Sequence, residues 1–236
     1  MRIAAISDLH GNAIALEAVL RAVKREKPDK VVVLGDLVAF GPSPGETLDR
    51  IRQIRNVSVI RGNTDRYLLE MDAPSDQPIW EAIWWTKHTL SEEQTAYLAS
   101  LPATETIRAD GVSTLLCHAD PVSDDGGFFP GKEEAFEEKL ALAEETCVLC
   151  GHTHRPLWRK IGTQFLVNDG SAGFPYDGDP RPSFAICDLR AQHPPAIRLE
   201  RIDYDMHAVA EQLAGIDLPM ANLMAKRVLV GKMLRP

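Results

Sequence analysis

The chain opens with a short apolar run, Ile3-Ala4-Ala5-Ile6, that ends in Ser7-Asp8. Ile14, Leu16, Val19, Leu20 and Val23 then recur at helical spacing until Pro28 stops the pattern. Residues 31–34 are all apolar, as in a parallel strand buried on both faces. A Gly/Pro-rich loop over 40–45 leads into a helix through Leu48, Ile51 and Ile54, and 57–60 reads as a third strand. This β-α-β-α-β start predicts a parallel, helix-covered sheet with right-handed crossovers. Residues 78–100 read as mostly helical, with Trp80, Ile83 and Trp84 on one face as core packing.

From about residue 104 the pattern changes. Segments 104–108 and 112–117 flank Asp110-Gly111, a strong hairpin signal. A charged helix is expected over 131–145 and strands over 146–150, 164–167, 184–189 and 196–202, with helical segments near 206–214 and 219–230. The second half therefore reads as a mostly antiparallel sheet with one inserted helix. No linker rich in Gly, Ser or charge and no repeat divides the chain, so the expectation is one α/β domain over 1–236, with two packed sheets and helices outside.

Composition narrows the function classes. A folded chain of 236 residues buries roughly 70–75% of its surface, so a core needs no disulfide or structural metal. The net charge of −8 argues against an extended nucleic-acid footprint, which needs clustered Lys and Arg. It leaves room for a small phosphate-bearing substrate, because bound divalent cations invert the local charge. Cys147 and Cys150 form a C-x-x-C, but they sit in an apolar strand where residues three apart point to opposite faces, and they read as buried hydrophobes. No charged-then-apolar leader opens the chain, and no stretch approaches the roughly 18 apolar residues of a membrane span. Cytoplasmic residence without a membrane partner is the expectation.

The chemistry lies in five clusters: Asp8-Leu9-His10, Gly35-Asp36, Gly62-Asn63, Cys117-His118 and Gly151-His152-Thr153-His154. Each falls at or just beyond the C-terminal end of an expected strand, the edge where α/β sheets bind ligands. Asp8 and His10 are two apart, as are His152 and His154, so in extended backbone each pair leaves on one side. Taken singly, most have plain readings: Asp8 can cap the helix after Gly11, and Asn63 after Gly62 is an ordinary turn. Taken together they give seven oxygen and nitrogen donors without a thiolate, too many for one tetrahedral ion and about right for two. Such donors suit Mn, Fe, Zn or Ni rather than Ca, with Mn the first expectation.

The series Asp-x-His, Gly-Asp, Gly-Asn, His and Gly-His-x-His resembles the calcineurin-like metallophosphoesterase superfamily. Residues 7–12, 40–44, 151–156, 168–171 and 177–181 are similar to its small bacterial and archaeal phosphodiesterase-type members. The resemblance implies a four-layer α/β/β/α sandwich of two mixed sheets flanked by helices. It implies one metal on Asp8, His10, Asp36 and His154 and a second on Asp36, Asn63, His118 and His152, with Asp36 bridging. A metal-bridging hydroxide would then attack a small or nucleotide-type phosphoester, with Asp36 and Asn63 as catalytic groups. Arg155 is expected on the phosphate side, and Arg181 is a further donor or a surface charge.

Two departures stand out. Thr64 follows Gly62-Asn63 where many relatives carry a His thought to protonate the leaving group, and Asp169 stands where many have Pro. A threonine hydroxyl is no acid near neutral pH, and general acids contribute typically ~10²–10⁴-fold. Slow turnover of poor leaving groups follows. Two competing readings remain: a metal-binding regulatory protein of the same fold with vestigial activity, and a mononuclear hydrolase of amides or esters that leaves several donors without work. The loops 40–45, 64–78 and 119–131 are expected to shape the pocket, with Phe128-Phe129 stacking on a base or packing.

Overall fold

A computed structural model describes residues 1–235. The first half alternates strands β1 (Arg2–Ile6), β2 (Lys30–Leu34) and β3 (Val57–Ile60) with helices α1 (Ala13–Glu26) and α2 (Pro44–Arg52). Helices α3 (Asn63–Glu70), α4 (Pro78–Thr89) and α5 (Glu92–Ser100) follow. Strands β4 (Thr104–Ala109) and β5 (Val112–Cys117) make the expected hairpin, then a 3-10 turn (Glu133–Ala135) and α6 (Phe136–Leu140) lead into β6 (Cys147–Cys150). Strands β7 (Leu157–Ile161), β8 (Gln164–Asn168), β9 (Ser183–Asp188) and β10 (Ala196–Arg201) precede the terminal helices α7 (Met206–Ala214) and α8 (Ala221–Val230).

Both sheets are five-stranded and mixed, ordered β10-β9-β1-β2-β3 and β4-β5-β6-β8-β7. The period-two alternation of β1 shows how they stack. Ala4 and Ile6 meet Leu16, Val19, Leu48 and Ile51 of the covering helices, while Ile3 and Ala5 meet Leu116, Leu149 and Val167 across the gap between sheets. The far side of the second sheet, through Leu115, Cys117, Val148 and Cys150, packs on Phe128, Phe136 and Leu140. The result is the expected α/β/β/α sandwich. Cys147 lies between the sheets and Cys150 on the outer side, so the C-x-x-C is split across a strand and both thiols are buried.

Several expectations need correction. The second sheet is not mostly antiparallel: β5-β6 and β6-β8 run parallel, because β9 and β10 return to the first sheet. Strand β7 escaped notice because its middle residues Trp158, Arg159 and Lys160 are exposed, as on a charged sheet edge. The helix expected over 131–145 shrinks to one short α segment that buries only Phe136 and Leu140, one turn apart. Helix α3 stands inside the segment read as the loop 64–78, and Asn12, not Asp8, caps α1 by accepting the Ala15 N–H at 3.0 Å. No helix among the described residues is long and apolar enough to cross a membrane.

The C-terminal ends of β2 and β3 nearly touch. At Gly35 the backbone is left-handed (φ 94°), and a Cβ there would lie 2.4 Å from the Gly62 nitrogen. Gly35→Ala combines a left-handed side chain, roughly 1–2 kcal/mol, with overpacking, roughly 1–3 kcal/mol. Denaturant unfolding is expected to show a loss of about 2–5 kcal/mol, and a loss under ~0.5 kcal/mol would refute this close packing.

Candidate metal centre

All five clusters reach one edge of the sandwich, but not in extended backbone. Asp8, His10, Asp36, His152 and His154 all have positive φ, between 47° and 66°. Left-handed backbone in residues with a Cβ is uncommon and costs of order 1–3 kcal/mol each. Five of the seven candidate ligands adopt it, so the strain is concentrated where the chain leaves its strands. The same-side expectation therefore fails for its stated reason. Asp8 and His10 do converge, with His10 Nε2 4.0 Å from Asp8 Oδ1. His152 and His154, however, serve different neighbours.

The first group comprises Asp8, His10, Asp36 and His154, all buried, with potential ligand atoms within 4.8 Å of one another. Asp8 Oδ2 is occupied: it accepts the Ser7 hydroxyl at 2.6 Å and the His152 backbone N–H at 2.9 Å. Asp8 Oδ1 has no hydrogen-bond partner and faces imidazole nitrogens, His154 Nε2 at 3.2 Å and His118 Nε2 at 4.0 Å. The rings are held from behind. Nδ1 of His10 contacts the Ala39 carbonyl at 3.0 Å, and Nδ1 of His154 contacts the Phe174 carbonyl. Each Nδ1–H donating to its carbonyl leaves Nε2 with a lone pair aimed into the group.

Those two Nε2 atoms are only 3.2 Å apart. Facing lone pairs repel unless a proton or a cation lies between them. Two imidazole nitrogens ~2.0–2.1 Å from one ion in tetrahedral arrangement stand about 3.3–3.4 Å apart. The unpartnered oxygen, the facing nitrogens and the oxygen/nitrogen donor set all fit a divalent cation.

The second group is Asn63, His118 and His152. Asn63 Oδ1 lies 3.0 Å from His118 Nε2 and 3.2 Å from His152 Nδ1. His118 Nδ1 is held by the Leu34 carbonyl at 2.7 Å. Asp36 joins the two groups: its Oδ2 is 3.5 Å from His10 Nε2, and its Oδ1 is 3.5 Å from His118 Nε2. The Thr64 N–H donates to the same Oδ1 at 2.9 Å and fixes the carboxylate. A Cβ on Gly62 would sit 2.2 Å from that oxygen, which is why glycine precedes Asn63.

Burial and charge pull these groups in opposite directions, as at functional sites. Burial drives His10 down to about 4 against the attraction of Asp36, and burial together with the charge of His118 lowers His152. Burial also opposes charge on His118, but Asp36, Asp8 and the Leu34 carbonyl outweigh it and push the imidazole up to about 10. Burial raises Asp36 and Asp8, and the surrounding imidazoles more than reverse this, leaving both below the usual carboxylate range.

Around the centre lies a cavity of about 430 Å³ walled by Phe40, Thr64, Phe129, Arg155, Tyr176 and Arg227 among others. Arg155 lines it, exposed, with Nε donating to the Tyr176 carbonyl at 3.3 Å. Arg181 does not. It is exposed and paired with Asp179 through several contacts, so it takes the surface reading. Phe128 is fully buried against Phe136, whereas Phe129 is 42% exposed and faces the cavity. Of the pocket loops, 40–45 supplies Phe40 and 119–131 supplies Phe129, while Thr64 opens α3 rather than a loop.

Four contributors were not foreseen, Asp65, Tyr176, Arg227 and Met233, while Asp169 had stood out only as a departure from the relatives. Asp65 is fully buried and accepts the Leu37 N–H at 3.0 Å and the Gly62 N–H at 2.9 Å, clamping the two loops that carry Asp36 and Asn63. Its position three residues after Gly62, opening α3, was the available signal. Tyr176 stacks on His154 with ring centroids 4.2 Å apart, and Arg227 and Met233 arrive from the C-terminal end. Asp169 is buried with both oxygens unpartnered, and burial with the charge of Asp8 pushes it well above the carboxylate range.

Comparison with known proteins agrees with this geometry. The chain is 28% identical to an uncharacterised protein of Methanocaldococcus jannaschii, over 98% of each chain. It is 25% identical to the phosphodiesterase YfcE of Escherichia coli, covering 76% of this chain and 84% of that one. The crystal structure of a metallophosphoesterase from Sphaerobacter thermophilus superposes with a TM-score of 0.82 at 28% identity, covering 98% of this chain and 99% of that one. The family model of the calcineurin-like phosphoesterase superfamily domain matches residues 1–192, and the chain belongs to that superfamily.

Proposed function

We propose that this protein is a dinuclear, metal-dependent phosphoesterase, a phosphodiesterase or phosphatase, that hydrolyses a small or nucleotide-type phosphoester. The observation that carries the reading is Asp36, whose two oxygens each face a different group of donors at 3.5 Å. A short carboxylate so placed is suited to bridge two cations. Asp8, His10, Asp36 and His154 would hold one ion, and Asp36, Asn63, His118 and His152 the other, with Mn the first candidate. Bound divalent ions supply charge neutralisation at the phosphoryl oxygens and acidify water. Likeness to the Escherichia coli phosphodiesterase supports the diester reading.

The chain's own residues do the rest. The Ala39, Leu34 and Phe174 carbonyls hold three imidazoles in one tautomer and orientation. The Thr64 N–H and the Asp65 clamp keep Asp36 and Asn63 in place. With its Oδ1 turned to the imidazoles, Asn63 has amide N–H groups left to donate to a phosphoryl oxygen. The exposed Arg155 stands on the cavity wall where phosphate charge would lie.

Thr64 lines the cavity with its hydroxyl unpartnered, and among the described residues the imidazoles lining that cavity are the candidate ligands His10, His152 and His154. Esters with good leaving groups are the expected substrates in vitro. With Mn²⁺ added, p-nitrophenyl diesters should turn over at least ~10²-fold faster at saturation than dialkyl diesters. Equal saturating rates would count against the missing acid. Thr64→His is expected to raise kcat on alkyl esters and to change aryl esters little, and a fall in kcat on both would contradict the assignment.

Asp36→Asn keeps the shape but removes the charge that would join the two ions. Hydrolysis of bis-(p-nitrophenyl) phosphate should drop at least ~10³-fold, or about 4 kcal/mol in transition-state stabilisation. Activity within tenfold of wild type would defeat the bridging role. A wild-type protein that binds metal fully yet hydrolyses no phosphoester on a broad panel belongs to the regulatory class instead.

A further inference from the structure

Helix α8 turns Met224, Arg227 and Val228 toward the interior, so a guanidinium stands in an otherwise apolar buried stripe. Arg227 is only 8% exposed and lines the cavity that holds the candidate metal ligands. Among the described residues no carboxylate pairs with it. Its Nε, at 3.0 Å, and its Nη2 donate to the Leu234 carbonyl, and its Nη1 reaches the weakly accepting Met224 sulfur at 3.3 Å. The acids of the centre, Asp8 and Asp36, are turned to imidazoles. A buried cation without a counter-charge is costly, and a guanidinium fork is suited to bidentate contact with a carboxylate or phosphate.

Two further observations point the same way. Tyr176, whose ring stacks on His154, has its phenol beside Arg227, so one aromatic ring separates the guanidinium from the ligand set. Ile79, Phe129 and Met233 stand about half exposed around the same cavity and offer an apolar surface for a substrate's carbon skeleton. Arg227 lies beyond residue 192, where the family match ends.

We propose that Arg227 is a specificity-determining residue that receives a second anionic group of the substrate, selecting phosphodiesters whose non-leaving alcohol carries a carboxylate or a further phosphate. The inference rests on the phosphoesterase reading of the centre. Arg155 is the competing cation on the wall, but it is solvated, whereas Arg227 is desolvated and held in one orientation.

The test uses three p-nitrophenyl diesters with the same leaving group, whose other alcohol is n-butyl, 3-carboxypropyl or 3-phosphonopropyl. They are compared on the full Mn²⁺-supplemented chain at fixed ionic strength. Wild type should favour at least one anionic ester over the butyl ester by tenfold or more in kcat/KM, mainly through KM. The two anionic arms distinguish carboxylate from phosphate. In Arg227→Gln the ratio should collapse to about one, Arg227→Lys should keep part of it, and Arg155→Gln should keep most of it. A purely structural Arg227 would lower melting temperature and affect all esters alike, leaving the ratio intact, and that result overturns the proposal. So does a wild-type ratio near one, or a ratio lost only in Arg155→Gln. If wild type hydrolyses none of the esters, the phosphoesterase reading fails by itself. Calorimetric binding of the same three esters then decides, with a tenfold affinity preference lost in Arg227→Gln expected and equal affinities overturning the inference.

Discussion

The architecture depends on one electrostatic constraint: buried donors converge at distances they cannot hold comfortably by themselves. His10 and His154 present Nε2 lone pairs 3.2 Å apart, beside an Asp8 oxygen that no protein donor satisfies. Backbone carbonyls fix both rings from behind, so neither can turn away. Buried polar groups are normally paired, and an unpaired one costs roughly 1–3 kcal/mol. A cation held by these groups would resolve every one of these mismatches at once. Asp36 then extends the arrangement to Asn63, His118 and His152 by offering a different oxygen to each side.

The rest of the fold serves to hold that arrangement in place. Parallel strands β1, β2, β3, β5 and β6 end near one edge, and the chain leaves each of β1, β2 and β6 through left-handed residues that a free peptide would avoid. The strain is sustained because both sheet interfaces are packed and because glycine sits where the exits crowd together. Asp65 adds a hydrogen-bonded tie between two of those exits. Packing thus supports a geometry that local backbone preference opposes, the usual relation between scaffold and site.

Most of this was legible in the sequence, and the limits have physical causes. The βαβ start is plain because its apolar runs are fully buried, and the seven donors are plain because each follows such a run. The conformation of the donors was not, since nothing local distinguishes left-handed from extended Asp or His; the same-side reading of His152 and His154 failed there. Strand β7 was hidden by its exposed Arg159 and Lys160, and β9 and β10 joined the first sheet through pairings that hydrophobic pattern does not encode. Tyr176 and Arg227 escaped because their roles arise from long-range contact, although an arginine within the stripe Met224-Arg227-Val228 was a readable irregularity.

Superfamily membership and a buried Asp/His centre leave the number of ions as the point on which the functional account turns. The direct measurement is metal stoichiometry: equilibrium dialysis of the purified, demetallated chain against Mn²⁺, followed by elemental analysis of wild type and Asp36→Asn. The account predicts two ions per wild-type chain and fewer than two in the variant. One ion per chain in both proteins would contradict the bridging role of Asp36 and the dinuclear centre built on it.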